Sequence, residues 1–443
     1  MAAEWEHPAR TESAATVAQW VEVHRLAVAG REQSIAAEVG DEVARVWVGT
    51  SRFADMAALA RATLTLGPDA SALYFLGWAL SSTGRPRKAL IHYEQALPIQ
   101  REVGDRAGEA ATLNNIGSVH YMLGDRQQAL EYFQQALPIQ REVGNRAGEA
   151  ATLNNIGSVH DGLGDRQQAL EYFQQALPIL REVGDHAGEA GVLNNIGHAH
   201  NALGDRQRAL TYYRRALPIQ RDVGDRAGEA VVLNNIGLAH KELGDWQQAL
   251  SCYQQALSVR REVGDRAGEA VTLHNIGAVF DALNDPQRAL TCYQHALSIR
   301  REVGDRAGEA DTLAGIGSAL DAAGDPLALA SFQQALPILR ELGDRGAEAV
   351  ILSNIATLRF EKGDLMGAEN GFREVAEILR LVEDRGAEAV ARFNLAALLM
   401  HMARVDEALE SQREAVALAE QTGHPASDEM RDFLFQLQQI TRE

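Results

Sequence analysis

Cysteine is almost missing from this chain: Cys252 and Cys292 are the two it has in 443 residues. They stand forty residues apart, at the same place in neighbouring repeats. Stacked helices lie about 8–10 Å apart, farther than the Cα separation a disulfide tolerates. They read as small core residues of a reduced protein. Basic charge is also short. Lys and Arg number 42 against 61 Asp and Glu, a formal charge of -19, so a nucleic-acid backbone or an anionic membrane surface is repelled. No apolar run is long enough to span a bilayer, and the opening Met-Ala-Ala-Glu-Trp-Glu-His-Pro lacks the basic start and apolar stretch of a secretion signal. The expectation is a soluble, cytoplasmic protein with no nucleic-acid and no membrane partner.

Motifs that carry chemistry are missing too. H-E-x-x-H, C-x-x-C, G-x-S-x-G, a G-x-G-x-x-G after a strand and the phosphate loop G-x-x-x-x-G-K-[ST] do not occur. No catalytic residue, cofactor or metal is expected. His120, His160, His200 and His240 recur once per repeat, about 10 Å apart, whereas the ligands of one zinc lie about 2.1 Å from it. They are read as packing residues. Asp105, Glu109 and Asp125 recur in the same way and are read as capping and surface residues.

What is present is a period of forty residues. Residues 141–180 differ from 101–140 at four positions, 145, 161, 162 and 180. A Leu/Ile-Gly step recurs at Leu76-Gly77, Ile116-Gly117, Ile156-Gly157, Ile196-Gly197, Ile236-Gly237, Ile276-Gly277 and Ile316-Gly317, then as Ile355-Ala356 and Leu395-Ala396. These mark nine units. One step is a residue short because of a deletion at Asp325-Pro326-Leu327-Ala328-Leu329-Ala330, which shortens one helix without breaking the stack.

Each unit divides into two helices of about 17 residues. In Gly124-Asp125-Arg126-Gln127-Gln128 the glycine ends the first helix left-handed, and Asp125 caps the second with Gln128 as its capping-box partner. Val143-Gly144-Asn145 does the same between units. Asp285-Pro286 and Asp325-Pro326 place proline at the first helical position. Pro98, Pro138, Pro178, Pro218 and Pro337 fall inside second helices, where a kink or early end is expected at a cost of about 3 kcal/mol. Ser258 and Ser298 should leave theirs straighter. Leu113, Ile116, Gly117 and His120 form one apolar stripe and Ala129, Leu130, Phe133, Ala136 and Leu137 another. A lone hairpin leaves that face wet, so the units must stack.

Leu193, Ile196, Gly197, His200, Ala209 and Tyr213 form a signature that resembles the tetratricopeptide repeat. The forty-residue length and the Glu-Val-Gly-Asp-Arg-Ala-Gly-Glu-Ala connector are similar to its long-repeat branch: Pins-type adaptors, kinesin light chains, and the sensor arms of bacterial NB-ARC-type (STAND) ATPases. The resemblance covers about 69–420. It implies an all-α, right-handed superhelical solenoid of stacked helix-turn-helix units. The expected domains are a cap with a degenerate repeat (1–68), an array of about nine units (69–424) and a closing helix (425–443). The chain lacks that ATPase's phosphate loop and the G-protein-binding tail of the Pins type.

The resemblance also implies that first helices line a concave surface and that the asparagine before the Leu/Ile-Gly step contacts a bound peptide's backbone. That position holds Asn115, Asn155, Asn195, Asn235, Asn275, then Gly315, Asn354 and Asn394. An amide both donates and accepts, so such a row suits any extended chain. The five consecutive asparagines would follow about 12 ligand residues. The competing reading is that they bond neighbouring helices, and Asn114, Asn154, Asn194 and Asn234, turned about 100°, are equally open to that role. Specificity is expected from Ser118, Ser158, His198 and Leu238, with Tyr121, Asp161, Asn201 and Lys241 one turn on. Their mixture suits a ligand with some positive charge.

The expected function is a non-enzymatic scaffold holding a protein or peptide. A sensor or regulatory component of a bacterial signalling or defence assembly, working with an ATPase or protease in trans, is the second reading. A homo-oligomer built by stacking units between chains is the third.

Overall fold

The computed structural model describes residues 14–440, and among these it contains twenty-two helices and no strand. The first thirteen residues of the expected cap and the last three of the closing segment lie outside the described residues. The rest falls into two compact units that part between Asp225 and Arg226.

The first unit runs α1 (Ala14–Gly30), α2 (Gln33–Gly49), α3 (Phe53–Leu64), α4 (Ala70–Ser82), α5 (Pro86–Val103), α6 (Arg106–Met122), α7 (Arg126–Glu142), α8 (Arg146–Gly162), α9 (Arg166–Val183), α10 (His186–Ala202) and α11 (Arg206–Asp222). The second runs α12 (Arg226–Glu242), α13 (Trp246–Val263), α14 (Arg266–Ala282), α15 (Pro286–Val303), α16 (Arg306–Ala322), α17 (Ala328–Leu342), α18 (Arg345–Glu361), α19 (Leu365–Leu381), α20 (Arg385–His401), α21 (Val405–Thr422) and α22 (Ser427–Ile440). No described helix is long and apolar enough to cross a membrane.

The glycine of the Leu/Ile-Gly step is the seat of an aromatic ring. A Cβ on Gly117 would lie 2.7 Å from the Phe133 ring, and one on Gly197 2.5 Å from Tyr213. Phe133 and Tyr213 are buried there, each gaining about 1.5–3 kcal/mol from water exclusion. Where the step becomes Ile355-Ala356, the facing helix carries Gly371, whose Cβ position is 2.8 Å from that of Ala356. The small residue has changed sides, and the close approach is kept.

The turns follow the sequence, with one correction. Gly124 is left-handed at φ 87°, a conformation that costs glycine little. The Asp125 N–H then donates back to the His120 carbonyl at 2.9 Å. Because that donor is already used, the expected return bond from Gln128 is not formed. Only the forward half of the capping box appears in the next repeat, where the Asp165 carboxylate accepts from the Gln168 N–H at 3.2 Å.

Three further expectations need correcting. The in-helix prolines do not end their helices: α5 continues from Pro98 to Val103 and α7 from Pro138 to Glu142. The prolines sit on the exposed side, as do Glu94 and Gln134, whose carbonyls lose a donor there and can take one from water. Pro286 opens α15, but Pro326 lies in a turn, and the shortened α17 begins at Ala328. The deleted residue came from the first turn, and the Ala328 N–H takes the Asp325 carbonyl at 3.1 Å instead. Cys252 and Cys292 form no disulfide and are half-buried, Cys292 against the edge of the core around Tyr253 and Tyr293 rather than inside it.

First helices of successive hairpins meet, α4 with α6, α6 with α8 and α8 with α10 in one unit, α12 with α14 and α14 with α16 in the other. No second helix approaches the next second helix comparably. From α4 to α10 in the first unit and from α12 to α16 in the second, the first helices therefore line the inner side.

Candidate functional site

Two rows of asparagine run along the inner side of the first unit and are bonded to each other. The Asn155 amide donates to the Asn114 side-chain carbonyl at 3.2 Å, and Asn195 donates to Asn154 at 3.0 Å. The Thr152 hydroxyl donates to the same Asn114 oxygen, also at 3.2 Å. In the second unit Asn275 donates to Asn234 at 3.1 Å. An asparagine has two N–H donors and two acceptor lone pairs, so Asn155 keeps one N–H and its carbonyl after this bond. Both rows are half-buried, which leaves those groups at the surface of the inner face. At the start of the row, Asn115 stands beside the hydroxyls of Tyr74 and Tyr93, and burial lifts Tyr74 to about 12 although Asn115 opposes the rise. Asn235, Asn354 and Asn394 are likewise half-buried. The position that would accept from Asn354 is Ala314, which has no side-chain acceptor.

A hollow of about 200 Å³ opens between the rows, lined by Asn154, Asn155, Asn195, Asp185, Gly188 and Gly191 among others. Nothing lies within 4 Å of a Cβ built on Gly191.

The residues expected to set specificity are placed unequally. The Ser118 and Ser158 hydroxyls donate to the carbonyls of Asn114 and Asn154, both at 3.0 Å, and are half-spent on their own helices. Tyr121 is exposed, while Leu238 and Lys241 are half-buried. Asn201 is buried, with its side-chain oxygen unpartnered, so it is not on the open face. His198 and Asp161 are brought together across a repeat junction, with Nδ1 3.1 Å from Oδ2. The Asp161 bond raises His198 above its ordinary value, although burial opposes it. Asp161 also holds Arg166 at 3.2 Å.

The recurrent histidines pack. His120, His160 and His200 stack on Tyr132, Tyr172 and Tyr212 at 5.4–5.5 Å between ring centroids, within 11° of parallel. Among the described residues no cluster of three or more His, Cys, Asp or Glu could hold a metal ion.

Glu109 is not a surface residue. It is 5% exposed and accepts from Arg101 at 2.8 Å and Arg106 at 2.5 Å, while Arg106 reaches Glu142 at the far end of the same hairpin at 2.7 Å. Burial alone would raise the Glu109 carboxyl, but the two guanidiniums hold it below the ordinary glutamate value. Glu269 repeats the arrangement with Arg261 and Arg266.

Two groups of residues escaped the sequence reading. Arg260 and Arg300 are buried, and Arg300 meets Asp311 at 3.3 Å. The signal for them was Arg-Arg standing where earlier repeats have Gln100-Arg101 and Gln140-Arg141. The second group is Tyr74, Phe75 and Trp78, which occupy the places of Asn114, Asn115 and Ser118 one period earlier.

Models of the tetratricopeptide repeat match residues 72–107, the overlapping spans 108–182, 149–222, 188–262, 228–302 and 268–341, and 389–422. The overlapping spans alone take in more than half of the chain. No curated protein matches. Among solved structures the chain is similar to a signal-transduction STAND ATPase with a tetratricopeptide repeat sensor from Pyrococcus horikoshii, at 15% identity and a TM-score of 0.58, over 75% of this chain and 55% of that one. It is also similar to the apo form of the quorum sensor NprR from B. thuringiensis, at 16% identity and 0.56, over 76% and 97%. The apo form of RapI matches at 16% identity and 0.56, over 83% and 98%. At such identities these likenesses concern the fold.

Proposed function

The chain belongs to the tetratricopeptide repeat family, and on that basis we propose that it is a non-catalytic binding protein that holds an extended peptide or protein segment along the inner side of its first helices. One observation carries this reading: the paired asparagine rows. A single bond per amide, Asn155 to Asn114 and Asn195 to Asn154, fixes each side chain while leaving an N–H and a carbonyl unspent. Groups already held in place lose little freedom when a ligand arrives. An amide row also matches a peptide backbone whatever its side chains. The asparagines serve packing and binding at once, Asn155, Asn195 and Asn275 from pinned positions and Asn354 without an acceptor at Ala314. His198, Asp161, Ser158 and Tyr121 supply the selective contacts.

The fold is shared with the sensor-bearing STAND protein, which favours a second reading in which binding informs a separate ATPase.

The test places a photo-crosslinking residue at Ser158 on the inner side or at exposed Glu131 on the outer side, and identifies by mass spectrometry what each captures in cells. A partner captured from position 158, absent from 131, and lost with Asn155→Ala and Asn195→Ala in a chain of unchanged helicity is the expected result. Capture from 131 alone, or capture indifferent to both alanines, would sink the proposal.

A further inference from the structure

The asparagine rows stop at α4, and the residues that replace them line the wall of a cavity. Tyr74, Phe75 and Trp78 stand where the next repeat has Asn114, Asn115 and Ser118. Phe75 and Trp78 are stacked at 6.5 Å and 12°, and Tyr74 meets Trp78 edge-on at 5.8 Å. The cavity has a volume of about 480 Å³ and is also lined by Asp41, Arg45, Gln100 and Asp105. All of it lies within the first unit.

The charges around it are unbalanced. Among the described residues of the lining Arg45 is the one cation, and Asp41 holds it at 2.5 Å. Asp105 adds a second carboxylate, one oxygen of which caps α6 by accepting from the Gly108 N–H at 2.9 Å. Gln100 is 3% exposed, and its side-chain oxygen has no partner. Burial raises the Asp41 carboxyl, although Arg45 opposes the rise. Two carboxylates, an idle carbonyl and aromatic faces form a surface to which a cation is attracted, since ring faces are electron-rich.

Building on the peptide-binding reading, we propose that this cavity is a subsite for a basic side chain of the bound segment, a guanidinium or ammonium lying against Trp78 with Asp41, Asp105 and the Gln100 oxygen as acceptors. A chain of net charge -19 draws such a ligand in from a distance.

The experiment uses the full chain with 5-fluorotryptophan incorporated, the Trp78 resonance being assigned by Trp78→Phe. N-acetyl-arginine amide is titrated and compared with N-acetyl-norleucine amide and N-acetyl-glutamate amide. The arginine probe is expected to shift the Trp78 line saturably and to bind about tenfold more tightly than norleucine. Asp41→Asn leaves Arg45 uncompensated and should weaken the arginine probe severalfold. Arg45→Ala removes the resident cation that occupies Asp41 and should strengthen it. Both side chains are partly exposed, so neither change threatens the fold. Norleucine binding as tightly as arginine, or indifference to both charge changes, would overturn the proposal in favour of an apolar pocket, and a motionless Trp78 line would overturn it altogether. Asn155→Ala and Asn195→Ala should leave this single-residue probe unaffected, so failure of the subsite and failure of the asparagine reading give different results.

Discussion

The side-chain amide of Asn155 donates to the side-chain carbonyl of Asn114, a residue 41 positions earlier, across 3.2 Å. Asn114→Ala and Asn155→Ala should therefore be non-additive. We expect a coupling of about 0.5–1 kcal/mol in a double-mutant cycle read by hydrogen exchange in α6 and α8. Strict additivity would show the two amides to be independent.

Glu269 is buried between Arg261 and Arg266, and removing one partner of such a set strands the others. Glu269→Ala should cost about 3 kcal/mol in chemical denaturation, against little for an exposed glutamate such as Glu131.

The same carboxylates set the acid limit. Glu109, Glu269, Glu309 and Glu348 all lie below their ordinary value of 4.5, the guanidiniums outweighing burial. A depressed folded-state value gives stability that is complete above 4.5 and lost as pH falls through the folded value. Helicity followed by circular dichroism should hold down to about pH 5 and then decline. Early loss near neutrality would mean that these pairs do not govern the transition.

A Cβ on Gly197 would lie 2.5 Å from the Tyr213 ring, whereas one on Gly191 in the same helix would meet open space. Gly197→Ala should destabilise by about 1–3 kcal/mol through forced repacking. Gly191→Ala should stabilise by about 0.5–1 kcal/mol by restricting the unfolded chain. Paired melting curves decide, and equal effects would refute the assigned seat of the ring.

His198, raised by Asp161 from its ordinary 6.5, contributes stability that is full below 6.5 and fades as pH rises through the folded value. Its imidazole resonances in NMR should titrate above 6.5, and in Asp161→Asn they should fall back. No change in the variant would remove the cross-repeat pair from the account.

Much of this was open to reading. The forty-residue period, the Leu/Ile-Gly step and the glycine-aspartate turns follow from spacing and backbone freedom alone. The bond between Asn114 and Asn155 was not, because periodicity marks both rows equally and packing register decides which residue meets which. Glu109 read as a surface residue because a carboxylate copied in every repeat gives no sign that two arginines neutralise it. The prolines read as a kink or an early helix end, and the early end fails because the exposed setting of the carbonyls they orphan shows only in three dimensions.

The recurrent bonds keep a constant stride. Arg106 reaches Glu142 and Arg146 reaches Glu182, each 36 residues on, while Asn155 and Asn195 each look back 41. Splicing out residues 141–180 would put Glu182 where Glu142 was and Asn195 where Asn155 was, so these bonds would close again on a residue of the same kind, while His198 would meet Tyr121 in place of Asp161. The length of the array is therefore a quantity the gene can change in whole steps that keep the recurrent bonds, and the contacts that differ from repeat to repeat are the ones each step rewrites.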